Sequence, residues 1–225
     1  MIIYNLKNNT KFNPCFQSLN QNLFIMLALL LSLSCAPKNK PQKAFHLKAE
    51  CRSVLEGTWN SKYPITLYRH ESFPSEYVSS LEKAIDTWNK ATHQNLLQLS
   101  TEIENTENTP NNHDHKSVVY WINDWHQNDS TEVEQGRTNL ELFGDQILEA
   151  DVLINASMKD FDFFIDQPEN SKQVHIESLL IHELGHVLGL KHSTSKNSIM
   201  NTHLIANEIR NEIPVEDLDK LNCQD

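Results

Sequence analysis

From residue 51 onward the apolar positions switch repeatedly between the spacing of strands and that of helices. "YPITLYRH" (Tyr63–His70) alternates apolar and polar residues as a half-buried strand does. In "PSEYVSSLEKAIDTWNKAT" (Pro74–Thr92), Tyr77, Val78, Leu81, Ala84, Ile85 and Trp88 recur at steps of three and four, which predicts an amphipathic helix with proline in its first turn. "NLLQLSTEI" reads as a second strand, and "SVVYWINDW" (Ser117–Trp125), rich in β-branched and aromatic residues, as a third. The polar run "ENTENTPNNHDHK" between them reads as a surface loop. "GRTNLELFG" and "QILEADVLINA", separated by Gly144-Asp145, predict a hairpin. "VHIESLLIHELGHVLGL" (Val174–Leu190) is a second long helical pattern, and "PVEDLDKLNC", opening on Pro214, a third and shorter one. Strand, helix, several strands and two helices define an α+β domain, with no internal repeat and no second domain.

The first 35 residues break this pattern. Lys7 and Lys11 precede the apolar run Leu23–Leu33, and the small residues Ser34, Cys35 and Ala36 follow it. A positive region, a short apolar stretch and a cleavage zone form an export signal. The run is too short for a bilayer, which needs about 20 apolar residues. "LSLSC" followed by "APKNKPQK" is similar to a bacterial lipoprotein signal, which implies lipid attachment at Cys35; cleavage after Ala36 is the alternative. The expected organisation is an export signal over 1–35, a tether over 36–50 and one domain over 51–225.

Charge and cysteine content narrow the partners and the compartment. Of 225 residues, 30 are acidic and 19 are lysine or arginine, a net charge of −11 that disfavours nucleic acid, whose phosphates select basic faces. The signal carries two of the lysines and no acid, so the rest stands at 17 − 30 = −13. Cys15 and Cys35 leave with the signal or carry lipid, so Cys51 and Cys223 remain. In an oxidising compartment such a pair forms a disulfide; two buried free thiols are the other reading.

The chemistry concentrates in "HELGHVLGLKH", residues 182–192. At about 100° per residue, His182 and His186 fall about 40° apart on one helix face, one turn separated, so both imidazoles reach one ion. Glu183 lies about 60° from His186, close to the metal without having to bind it. Leu180, Ile181, Leu184, Val187 and Leu188 anchor the opposite side. Gly189 ends the helix, so His192 can come round as a third nitrogen ligand. Three protein ligands and an open position make a catalytic rather than a structural zinc site. Chance occurrence of the whole pattern is roughly one chain in a hundred thousand at ordinary residue frequencies.

With "SIM" ending at Met200, this stretch resembles the metzincin metallopeptidases, and Ser193 after the third histidine points to their matrixin branch. "LEKAIDTWNKAT" is similar to that family's first helix, and "EADVLIN" to the strand before its active-site helix. The resemblance implies a twisted mixed sheet of about five strands with two long helices, an active-site helix ending at Gly189 and a C-terminal helix. It places Met200 as an apolar floor beneath the histidines. It implies hydrolysis of peptide bonds in extended protein substrates through a zinc-bound water, with Glu183 as general base. It also implies substrate pairing with an edge strand, here Arg137–Leu142, so that Arg137, Thr138, Asn139 and Leu140 form the docking edge.

The departures are as specific as the likeness. His126 and Asp129 match one part of the second, structural zinc site of matrix metalloproteases, but no histidines follow in the next strands, so one catalytic zinc is expected and calcium is left open. His113 and His115 sit in a polar loop and read as solvated. "NTHLI" stands where a Pro-x-Tyr segment walls the family's specificity pocket. No cysteine switch is recognisable around Cys51. The expected protein is an exported, lipid-anchored monomeric endopeptidase; the alternative is a catalytically weak surface protein that keeps the fold for binding.

Overall fold

The computed structural model describes residues 46–60, 62–105, 110, 114–125, 134–157 and 162–224. The expected signal, the Cys35 lipid site, His113, His126 and Asp129 lie outside them. Five strands form one sheet in the order β2-β1-β3-β5-β4: β1 (Ile65–His70), β2 (Leu97–Glu104), β3 (Ser117–Ile122), β4 (Gly136–Phe143) and β5 (Gln146–Asn155). β1 pairs in parallel with β2 and β3, and β3 with β5; β4 alone runs antiparallel, at the edge beside β5. The sheet is thus mixed, and the hairpin forms as expected, with Gly144 at φ +64 in its turn.

One sheet face carries the main core. Leu67, Leu97, Val119, Val152 and Ile154 are fully buried there beneath two helices, α1 (Val78–Thr92) and α2 (Ile176–Val187). α1 contributes Leu81, Ala84, Ile85 and Trp88, the residues its spacing marked as apolar. The Trp88 indole N–H donates to the Ile181 carbonyl at 2.9 Å, which fixes α1 against the middle of α2. The opposite face holds a smaller cluster of Val118, Tyr120, Ile122, Trp125 and Leu153.

Three elements depart from the sequence reading. The second helix does not begin at Val174: Gln173–His175 is a strand, β7, paired in parallel with β6 (Asp162–Phe164). A two-stranded piece this short has no periodicity to read, and Phe163 and Val174 are apolar enough to pass for helix. The first helix opens with a separate 3-10 turn, Ser75–Tyr77, before α1 proper. The stretch expected as tether is part of the domain by residue 47: Leu47 is buried and its N–H donates to the Asp145 carboxylate at 2.8 Å. One apolar residue among lysines and prolines gives no pattern, and only the groove that receives it reveals its place.

The last helix, α3 (Val215–Leu221), lies where expected and runs into the turn that bears Cys223. Cys51 and Cys223 are disulfide-bonded, with Cα atoms 5.5 Å apart across 172 residues of sequence. Replacing both cysteines with serine is expected to lower stability by about 2–5 kcal/mol, because the unfolded chain loses a long loop constraint. A urea denaturation midpoint unchanged in the double variant would contradict this.

Candidate metal centre and active site

α2 carries the site because its two sides differ. Leu180, Ile181, Leu184 and Val187 are fully buried, while His182 and His186 project from the other side. The helix then stops. The Leu190 N–H bonds the Gly185 carbonyl at 2.9 Å and the Gly189 N–H that of His186 at 2.8 Å, with Gly189 at φ +94. This Schellman arrangement needs a residue without a β-carbon at 189. The released chain is held from below by the segment before β1. Glu56 N–H donates to the Gly189 carbonyl at 2.8 Å, and Lys191 N–H to that of Val54 at 2.9 Å. His192 follows directly.

The three imidazoles converge. His192 Nε2 lies 3.3 Å from His182 Nε2 and 3.1 Å from His186 Nε2. Meanwhile His182 Nδ1 bonds the Ile199 carbonyl and His186 Nδ1 that of Leu190, both at 2.7 Å. A carbonyl only accepts, so each Nδ1 carries the proton and each Nε2 offers a bare lone pair. Two lone pairs aimed at one point repel unless a cation lies between them. Nitrogens bound at about 2.0–2.1 Å to a tetrahedral zinc stand about 3.3 Å apart, the spacing found here. The donor set fits zinc, and the carbonyl partners are the outer hydrogen bonds that hold metal-binding imidazoles in orientation.

Burial reinforces that form. It lowers the His182 pKa to about 3 and the His186 pKa to about 4, with the neighbouring imidazoles adding to the effect, and it lowers His192 as well. The unfolded imidazoles titrate near 6.5, so between about 4 and 6.5 the unfolded chain binds more protons than the folded one. Glu183 opposes this: burial raises its carboxyl to about 8 from 4.5, so its contribution to stability declines as pH rises through that interval. Histidines outnumber it, so the metal-free domain is expected to lose stability on acidification, with a lower urea midpoint at about pH 5 than at about pH 6.5 in chelator. Equal midpoints would refute that balance.

Met200 is fully buried against α2 at Gly185. Its sulfur takes the space that a β-carbon on Gly185 would need, at 2.3 Å, so the "G" of HELGH is what lets methionine close against the helix. Asp217 of α3 holds the same turn: its buried carboxylate accepts from the Ser198 hydroxyl at 2.7 Å and the Ile199 N–H at 2.8 Å. Lys220 pairs with it at 2.8 Å. Because the Ile199 carbonyl orients His182, the C-terminal helix reaches the metal site through one residue. Asp217 looks like an ordinary helix acid in the sequence, and nothing there signals the contact.

Glu183 is 3% exposed and lies between α2 and the edge strand. Thr138 Oγ donates to its Oε2 at 2.8 Å. A β-carbon on Gly136 would stand 3.0 Å from its Oε1, so β4 passes the carboxylate closely on both sides. The expected docking residues Arg137, Thr138, Asn139 and Leu140 all lie on β4, the last strand of the sheet among the described residues. Arg137 pairs with Glu134 and stacks over Trp125 with its guanidinium carbon 5.4 Å from the ring centre. A cleft of about 840 Å³ runs along this edge over His182, His186 and His192. Leu140 and Leu142 line it on the strand, and Asn201, Thr202, His203 and Leu204 form the far wall. That wall is the "NTHLI" segment, and Gln135 Nε2 reaches across to the Leu204 carbonyl at 3.3 Å.

Gly136, Gly185 and Asp217 are site residues that the sequence reading passed over. Cys51 has no latency role as a free thiol, since it is bonded to Cys223. His115 is exposed, and a ring nitrogen of it lies within 4.8 Å of carboxylate oxygens of Glu141 and Glu149 on the hairpin.

A mixed sheet with an antiparallel edge strand, an HExxH helix stopped by glycine, a third histidine converging on the first two and a buried methionine packed on that helix define a metzincin-type metallopeptidase. Within that class the chain belongs to the matrixin family, whose model matches residues 56–223, most of its length. Matrixins are zinc metallopeptidases. No curated protein matches the chain.

Proposed function

We propose that the domain is a zinc-dependent endopeptidase acting on extended segments of protein substrates, with Glu183 as its general base. The observation that carries this reading is the placement of a buried carboxylate between the edge strand β4 and three converging Nε2 atoms. His182, His186 and His192 hold the ion. Bound zinc supplies Lewis acidity, lowering the pKa of a water toward about 7 and polarising a carbonyl. β4 takes the substrate backbone as an added strand, bringing the scissile bond over the histidines. Glu183, buried beside the three imidazoles and held by the Thr138 hydroxyl, takes a proton from the attacking water and delivers it to the leaving amine.

Purified protein should contain one zinc per chain and cleave an unfolded substrate such as casein, with cleavage lost in chelator and restored by zinc. Zinc binding without cleavage would favour the alternative of a surface binding protein. We further propose export and lipid attachment at Cys35. The signal pattern supports this, as does the Cys51–Cys223 disulfide, which belongs to an oxidising compartment. Mass spectrometry of the mature N-terminus tests it: a diacylglyceryl-cysteine at 35 is expected, and an unmodified Pro37 start would reject it.

A further inference from the structure

Every polar atom around the Glu183 carboxylate bears on where its basic oxygen points, and the nearest ones come from the substrate edge strand. Thr138 Oγ lies 2.8 Å from Oε2 and 3.1 Å from the Glu183 carbonyl oxygen. A hydroxyl has one proton, and the carboxylate is the stronger acceptor, so the bond goes to Oε2. Oε1 faces β4 at Gly136, where a β-carbon would come within 3.0 Å of it and within 3.3 Å of the carboxyl carbon. The two oxygens are therefore not equivalent: Oε2 is bonded by Thr138, and Oε1 lies over Gly136, where only the absence of a side chain leaves it uncovered.

We propose that Thr138 is a positioning residue for the peptidase reaction, locking Glu183 so that Oε1 alone receives the proton of the attacking water. The proposal rests on the reading of Glu183 as general base. A carboxylate free to rotate about its last torsion spreads its lone pairs over many directions, since that torsion is broad and shallow. One hydroxyl donor on the Thr138 side chain removes this freedom, while the Thr138 backbone stays part of the docking edge. Gly136 completes the device, because any side chain there would press on the oxygen that must stay accessible. The proton path is then water to Oε1 and Oε1 to the leaving nitrogen, with Thr138 keeping its own proton throughout. Since β4 also receives the substrate, the base and the peptide are referenced to the same stretch of backbone, and an error in one is shared by the other.

Thr138→Val keeps the β-branched shape and strand propensity but removes the donor; Thr138→Ser keeps the donor. In zinc-loaded enzyme, Thr138→Val is expected to lose about 10–100-fold in kcat, similar to the cost of removing an outer hydrogen-bond partner of a metal ligand. KM should stay within about twofold, because the strand edge is intact, and Thr138→Ser should retain most of kcat. Unchanged kcat in the valine variant, an equal loss in both variants, or a loss confined to KM would each overturn the proposal. Zinc content should equal that of wild type; a fall would mean that Thr138 acts on the metal site instead, and would also overturn it. Crystal structures of wild type and Thr138→Val give a readout without turnover. The expected result is one Glu183 carboxyl orientation in wild type and a rotated or split one in the variant, and a single unchanged orientation would refute positioning. If wild-type protein bound zinc but cleaved nothing, the function reading would fail while the crystal comparison still decided the role of Thr138.

Discussion

Glu183→Gln is expected to reduce kcat by about 10²–10⁴-fold, the contribution of a positioned general base. Zinc should remain bound, because His182, His186 and His192 and the carbonyls that orient two of them are untouched. The amide oxygen of glutamine can still accept the Thr138 hydroxyl, so the local geometry survives, but it cannot take a proton from water. A second effect distinguishes this loss from damage to the fold. Burial raises the Glu183 carboxyl to about 8, so the ionised form is a cost to the metal-free domain above that pH. Glutamine removes the cost, and the variant should resist urea better than wild type in alkaline chelator buffer. An inactive variant that also loses zinc, or an active one, would contradict the assignment.

Gly189→Ala is expected to be the most damaging small substitution in the domain. A β-carbon there would lie 2.2 Å from the Gly57 carbonyl oxygen, which is backbone and cannot swing away. The residue also stands at φ +94, a conformation that L side chains rarely adopt. Backbone strain and overpacking together should cost about 2–6 kcal/mol, against a total of about 5–15 for an ordinary domain. The loss should fall first on the metal. Relief of the clash moves the turn that carries His192 away from the segment holding it at Val54 and Glu56. Zinc affinity, measured by competition with a chromophoric chelator, should drop with the urea midpoint; wild-type zinc affinity in a folded variant would show that the turn tolerates a side chain.

Some of this site was legible because it is local. His182, Glu183 and His186 are fixed relative to one another by helical periodicity, and α2 forms where the apolar spacing places it. Gly189 announces a helix stop by its residue type, and that stop lets the histidine three positions on turn back to the other two. The hairpin of β4 and β5 was legible from alternation and a Gly-Asp turn. β6 and β7 were not, since three-residue strands carry no period. Leu47 was read as tether because its place depends on the carboxylate of Asp145, 98 residues away.

Spacing along the chain was enough to mark three histidines and a glutamate on one helix and just past its end, and the edge strand beside them. These follow from spacing along one element, which covalent geometry enforces whatever the rest of the chain does. How those side chains are aimed depends on contacts between elements. The Thr138 hydroxyl on Glu183, the Met200 sulfur against Gly185, the Asp217 grip on Ile199 and the Glu56 hold on Gly189 each join residues distant in sequence. Such contacts depend on how helices and strands pack against one another. Packing arises from many weak contacts at once, and no single residue type records it.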